Sequence, residues 1–219
     1  MYLINGKEVT KEEFQIPVED LVIWRGDGIF EAIGIHQGFL FALEEHIERF
    51  KKSAQKMHFD NIDFDKIEKD LVRVASNYAS GYMRVIIGRG ASKEESKVYM
   101  FYQDPIPAPD YYSLQSHKAH WMSGGDFQID EVSNIAAKST SYAMNMSHTR
   151  LAEKEGFTDS LLLNKDNIVL EGPSFSVAWI KAGKVFIPDL DLGILDSVTR
   201  RSLIAVSYTH LTLPTSDLV

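Results

Sequence analysis

Three of the chain's seven prolines fall inside one stretch, Asp104-Pro105-Ile106-Pro107-Ala108-Pro109-Asp110, and nothing else in the sequence constrains the fold as much. Proline cannot continue a helix or donate into a sheet, so the stretch reads as an extended linker and the best boundary in the chain. The expectation is a lobe over residues 1–103, a linker over 104–112 and a second lobe over 113–205. At 219 residues there is ample chain to bury a core in this arrangement.

The first half alternates strand and helix signals. Tyr2 to Ile4, an Asn5-Gly6 turn and Glu8-Val9 form a hairpin by turn chemistry. Gly26-Asp27-Gly28 leads into a strand from Ile29 to Ile35, and Gln37-Gly38 turns the chain back into Phe39-Leu40-Phe41. Leu43, Ile47, Phe50, Ala54 and Met57 then fall at 4-3-4-3 spacing, one apolar stripe of a helix. A second helix over about Phe64 to Tyr78 carries Ile67, Leu71, Val74 and Ala75 on one face, and strands follow at Tyr82 to Ile87 and Lys97 to Tyr102.

The second half opens with a strand near Ser113 to Trp121 and a helix from about Tyr142 to Glu155, with Gly156 as its stop. Two tight pairings are expected next. One joins Leu161–Leu163 to Ile168–Leu170 across residues 164–167, and the other joins Val177–Ile180 to Val185–Ile187 across residues 181–184. Strands and helices mixed in this way give an α+β chain in two lobes.

Bulk numbers exclude several function classes. A net charge of -8 argues against nucleic-acid binding that depends on clustered Lys and Arg. No apolar run approaches a membrane span, and the N-terminus carries no secretory pattern. The absence of cysteine removes disulfides, thiolate metal sites and a cysteine nucleophile. A cytoplasmic location is the plain expectation, with no nucleic-acid or membrane partner. There is no Gly-x-Ser-x-Gly elbow, Walker loop or His-Glu-x-x-His. His117 and His120 are the one close histidine pair, and on a strand an i, i+3 pair faces opposite sides, so no metal site is expected.

Three chemical elements stand in fixed order between Ile135 and Arg201. Lys138 sits among small residues, Ala136-Ala137 before it and Ser139-Thr140-Ser141 after it. Its plain reading is a solvated surface lysine. In a partly desolvated pocket its pKa would fall, making it an amine nucleophile near neutral pH. Glu171 ends a strand-like run and leads into Gly172-Pro173-Ser174, where it is either an exposed turn residue or a carboxylate for a ring nitrogen. Gly193-Ile194-Leu195-Asp196-Ser197-Val198-Thr199-Arg200 is a turn opening a helix, readable as an ordinary cap at Asp196 or Ser197 or as an anion cradle. Arg49, flanked by Glu45 and Glu48, is a surface charge or a bidentate phosphate ligand.

Taken jointly, Arg25-Gly26-Asp27-Gly28-Ile29-Phe30-Glu31, His46-Ile47-Glu48-Arg49 with Ser53-Ala54, Lys138, Glu171-Gly172 and Gly193-Ile194-Leu195 through Thr199-Arg200 resemble the fold-type IV (class IV) pyridoxal-phosphate-dependent aminotransferases. The resemblance runs from about Tyr2 to Leu203 and implies a two-lobed class IV aminotransferase-like fold, an N-terminal α/β sandwich beside an incomplete C-terminal pseudo-barrel lobe. It implies pyridoxal 5'-phosphate as cofactor. Lys138 would hold it covalently and shuttle the Cα proton, Glu171 would pair with the pyridinium nitrogen, and Tyr142 would hydrogen-bond the ring hydroxyl. Arg49, Val198 and Thr199 would hold the phosphate. Tyr82 and Arg84 occupy the place where branched-chain members bind the substrate carboxylate. The implied activity moves an amino group between an amino acid, branched-chain or other apolar favoured, and a 2-oxo acid, in a homodimer. The alternatives are an aminodeoxychorismate lyase, a D-amino-acid aminotransferase, or an inactive truncated fragment.

The chain also departs from the family pattern. Ser176 stands where the family has Asn five residues after its glutamate, so the turn is expected to be held differently. Gly88-Arg89-Gly90 is more like the D-amino-acid and lyase branches, yet no Arg-x-His motif occurs between Ala91 and Lys97. Family members continue beyond the Thr-Arg helix, whereas here the helix is expected to break after Ala205. Residues 206–219 match nothing in the family and are expected to be a non-native tail on a truncated frame.

Overall fold

The computed structural model describes residues 1–91, 96–119 and 136–210. The expected features at His120, Trp121 and Ile135 lie outside the described residues. The chain divides into two compact units, the first formed by Met1–Ala108 and Ala137–Ser141. The described part of the second is 109–119, 136 and 142–210. Lys138 thus belongs to the first unit.

The first unit is built on a six-stranded sheet in the order β2-β1-β6-β5-β3-β4. The strands are β1 (Tyr2–Ile4), β2 (Lys7–Val9), β3 (Gly28–His36), β4 (Phe39–Leu40), β5 (Ser80–Gly88) and β6 (Lys97–Gln103). Both hairpin turns match their sequence signals. Asn5 and Gly6 take φ of 52° and 81°, and Gln37 and Gly38 take 51° and 83°, the left-handed pairs that a two-residue turn requires. β3 and β5 pair antiparallel over their full length, with Phe30 opposite Ile86, Ala32 opposite Arg84 and Gly34 opposite Tyr82.

Alternation along the strands gives the sheet two distinct faces. Ile29, Ile33, Ile35, Met83, Val85, Ile87 and Met100 turn to one side, where they pack with α2 (Leu43–Lys56) and α3 (Phe64–Ala75). The apolar stripes read from the sequence are the stripes that are buried: Ile47, Phe50 and Ala54 on α2, and Ile67, Leu71, Val74 and Ala75 on α3. The four-residue α1 (Leu21–Trp24) is capped by Asp20. Asp20 is buried and also accepts from Gly90 N–H and from the Tyr99 hydroxyl.

In the second unit, β7 (Leu114–Lys118) pairs parallel with β8 (Asp159–Leu163), and α4 (Ala143–Lys154) packs against both. α4 ends as expected, with Gly156 at φ 85°. The hairpin after β8 is present as hydrogen bonds between Leu162 and Leu170 and between Asn164 and Ile168, with a single β-bridge at Leu163 and Val169. Leu162, Leu170 and Ile194 form the buried centre of this unit.

Two expectations are corrected here. The second hairpin is tighter than read: β9 (Trp179–Lys181) and β10 (Lys184–Phe186) put Lys181 opposite Lys184. Ala182 and Gly183 both take left-handed φ, 50° and 76°, so two residues suffice for a turn where four were expected. The last helix, α5 (Val198–His210), does not break after Ala205. The residues beyond Ala205 include β-branched types that weaken a helix without stopping it, and the first true breaker is Pro214.

Candidate active site

Lys138 is held in the first unit by its backbone. Phe30 N–H donates to Lys138 O at 2.9 Å, and Thr140 N–H donates to Gly28 O at 2.8 Å, so the segment lies beside β3 where β4 does not reach. Lys138 N–H donates to Ser53 Oγ on α2 at 3.1 Å, and Thr140 Oγ1 donates to Gly26 O at 2.8 Å. An antiparallel bridge joins Ile29 to Ser139, which sets Lys138 opposite Phe30 and sends both side chains to the face away from α2 and α3. The Lys138 amine lies 4.4 Å from the centre of the Phe30 ring, and the residue is half-buried. It is not a freely solvated surface lysine.

Tyr82 and Arg84 share that face, because Gly34 and Ala32, their partners on β3, are in phase with Phe30. Both are half-buried. Arg84 Nε donates to Gln103 Oε1 at 2.7 Å, and the guanidinium carbon lies 5.9 Å from the Tyr82 ring centre. Among the described residues no carboxylate pairs with Arg84. Burial lowers its pKa, with Tyr82 acting in the opposite direction.

Arg49 stands on the other side of the sheet. Its Nε and Nη2 both donate to Glu31 at 2.7 Å, and His46 Nδ1 lies 2.8 Å from the same carboxylate. Glu31, His46 and Arg49 are 1%, 6% and 7% exposed, so the reading of Arg49 as a flanked surface charge is corrected. Burial acts to raise the Glu31 pKa, and the hydrogen bonds from His46 and Arg49 outweigh it, leaving the carboxyl below its ordinary value. Ser53, which receives Lys138 N–H, follows Arg49 by one helical turn on the same side of α2.

The second unit joins the elements that carry Tyr142, Glu171, Val198 and Thr199. Tyr142 is the residue before α4, and Asn145 in the first turn of that helix donates to Pro173 O at 3.1 Å, just beyond Glu171. Glu171 Oε2 accepts from Leu195 N–H at 3.2 Å, which ties the Glu171 turn to the loop leading into α5. That loop begins at Gly193, φ 77°, and ends at Ser197, whose Oγ accepts from Arg200 N–H at 3.3 Å as a cap. Val198 is buried and Thr199 exposed at the first positions of α5. In place of the family's Asn, the turn after Glu171 is held by Gly172 N–H donating to Phe175 O at 2.7 Å. The Phe175 ring lies against Gly172, in the space that a Cβ on residue 172 would need.

Several participating residues carried no assigned role in the sequence reading: Phe30 under the lysine amine, Ser53 behind its backbone, Gln103 on Arg84 and Glu31 on Arg49. Glu31 had a legible signal, since it falls in the buried phase of a strand, where a carboxylate needs a partner. Arg89 proves structural. It reaches Asp27 and the carbonyls of Met57 and His58, and it stacks on Phe59 at 3.8 Å. His117 bonds the Ser160 hydroxyl at 2.8 Å, and no group able to hold a metal ion occurs among the described residues. Among them, too, no helix is long and apolar enough to cross a membrane.

Comparison with known proteins identifies the family. The sequence model described as amino-transferase class IV matches residues 28–214. A protein of Methanocaldococcus jannaschii named "Putative branched-chain-amino-acid aminotransferase" is 27% identical over 216 residues, covering 93% of this chain and 73% of its own length. A D-alanine aminotransferase of Staphylococcus epidermidis is 26% identical, covering 90% and 72%. Relatives named as aminodeoxychorismate lyases also match. Among solved structures, a hypothetical aminotransferase from Mycobacterium tuberculosis in its alpha-ketoglutarate and PMP bound form superposes with a TM-score of 0.85 at 25% identity, covering 95% of this chain and 78% of that one. The family match over residues 28–214, most of the chain, and the mixed α/β fold shared with solved members make this chain a member of the class IV aminotransferases.

Proposed function

We propose that the protein binds pyridoxal 5'-phosphate and moves an amino group between an amino acid, branched-chain or other apolar favoured, and a 2-oxo acid. The single observation that carries this reading is the Lys138 amine over Phe30, on the same face of the sheet as Tyr82 and an Arg84 that no described carboxylate neutralises. The donor chemistry suits the cofactor: an amine at Lys138, a carboxylate at Glu171, a guanidinium at Arg49, and a helix start at Val198 and Thr199. When bound, the cofactor supplies an electron sink for negative charge that develops at the substrate Cα.

The chain's own residues do the rest. Lys138 Nζ carries the cofactor and takes up and returns the Cα proton, from a backbone that Phe30, Gly28 and Ser53 hold still. The Glu171 carboxylate keeps the ring nitrogen protonated, and its bond from Leu195 N–H holds one of its oxygens in place. The Tyr142 hydroxyl bonds the ring hydroxyl. Val198 and Thr199 hold the phosphate at a helix start that favours an anion, and the family pattern adds Arg49, whose guanidinium here is turned to Glu31 on the helix side of the sheet. Arg84 takes the substrate carboxylate, with Tyr82 beside it. A homodimer in the cytoplasm completes the reading. A second reading keeps the cofactor and changes the reaction to a lyase, and relatives of that name favour it.

Absorbance tests the reading. Protein mixed with pyridoxal phosphate is expected to show a visible band that Lys138→Ala removes, and L-leucine or L-glutamate is expected to discharge that band in a single half-reaction. A wild-type protein without the band overturns the cofactor assignment. A band that neither amino acid discharges, but that fades with pyruvate release from aminodeoxychorismate, favours the lyase.

A further inference from the structure

We propose that Gln103 is a positioning residue for substrate recognition. By accepting from Arg84 Nε at 2.7 Å, it leaves the Nη1–Nη2 edge of the guanidinium as the edge that meets the substrate carboxylate. The proposal rests on the reading of Arg84 as the carboxylate site.

A guanidinium can grip a carboxylate bidentately along either of two edges, Nε with one Nη or the two Nη together. With Nε committed to Gln103, the first edge has lost one of its donors. Gln103 is the last residue of β6 and lies opposite Tyr82, so it stands diagonally across the strand pair from Arg84, on the same face of the sheet. The amide must present its oxygen, since Nε–H can only donate. A neutral acceptor also matters for charge. A glutamate here would pair with Arg84 and cancel the field that a substrate anion needs, whereas an amide fixes the side chain and leaves the positive charge whole. Burial lowers the Arg84 pKa, yet a guanidinium stays charged throughout, so the positive charge is present for the incoming anion.

Three variants of the cofactor-loaded protein test this, read by KM and kcat for L-leucine and by the calorimetric Kd of 4-methyl-2-oxopentanoate. Gln103→Ala loses one hydrogen bond to a charged group and is expected to raise KM and Kd about three- to tenfold, with kcat changed by less than about twofold. Gln103→Glu is isosteric and keeps the hydrogen bond, so it is expected to fold normally and yet raise both constants by about tenfold or more through charge competition alone. The discriminating readout is the split in Gln103→Ala, KM and Kd raised with kcat held, which a merely structural glutamine would not produce. Arg84→Gln separates the two levels of the argument. If it leaves KM and Kd at wild-type values, Arg84 is not the carboxylate site and both readings fall. If it raises them while both Gln103 variants bind as wild type, only the positioning role is overturned. A Gln103→Glu protein that loses kcat at unchanged KM overturns it too.

Discussion

Glu31 shows how one residue decides what its neighbours can be. It lies between Ile29 and Ile33 in the buried phase of β3, 1% exposed, and a carboxylate there requires compensation. Arg49 and His46 on α2 supply it, which is why an arginine flanked by Glu45 and Glu48 turns inward. Replacing Glu31 with Gln leaves the Arg49 guanidinium buried without its counter-charge, and the expected loss is about 3–5 kcal/mol of unfolding free energy at neutral pH. Urea unfolding of the variant beside wild type checks it, and a loss below about 1 kcal/mol contradicts the assignment of this pair as structural. The sequence could have disclosed this. The i, i+2 alternation that put Ile29, Ile33 and Ile35 in the core put Glu31 there as well. Gln103 could not be found in that way. Its partner lies on another strand, and only the register of β5 against β6 brings an ordinary polar residue to Arg84.

Elements were legible where the signal was local. The 4-3-4-3 stripe of α2, the Asn5-Gly6 and Gln37-Gly38 turns and the Gly156 stop each depend on a few consecutive residues. The parallel pairing of β7 with β8 and the return of Ala137–Ser141 to β3 depend on residues far apart in the chain, and periodicity carries no trace of either. The turn after Glu171 lies between these cases. Ser176 signalled that the family's asparagine was missing, but the substitute, Phe175 folded over Gly172, shows only in three dimensions. A methyl group on residue 172 would run into the Phe175 ring, and displacing that ring disturbs the turn that orients Glu171. Gly172→Ala is expected to cost about 1–3 kcal/mol, the usual penalty of overpacking. It is also expected to weaken pyridoxal phosphate binding, read by titrating the visible band. A variant that melts and binds as wild type would show that the turn relaxes without consequence.

At the scale of the whole molecule, the structure divides the chain between Ala108 and Pro109, and the segment that carries Lys138 belongs with the first unit. A linear reading assigns residues to lobes by their order, whereas hydrogen bonds from Phe30 and Thr140 assign this segment to the first sheet. Among the described residues of the first unit, Glu31 is a buried carboxylate whose pKa is lowered, and part of the unit's response to acid follows from it. Because Glu31 titrates below its ordinary value when folded, its contribution to stability is fully present above the unfolded pKa, about 4.3, and is lost as pH falls through the folded pKa. Stability measured by urea unfolding is therefore expected to hold from pH 7 to about 5 and to fall steeply below about 4. Protonation of exposed acids also contributes to any such fall, so the slope alone does not assign it. The Glu31→Gln protein does: lower in stability at pH 7, it has no proton to take up at residue 31, so its curve should run flatter below pH 5 and approach the wild-type curve as the pH drops. Parallel curves for the two proteins down to pH 3 would place the acid sensitivity elsewhere and remove Glu31 from the account.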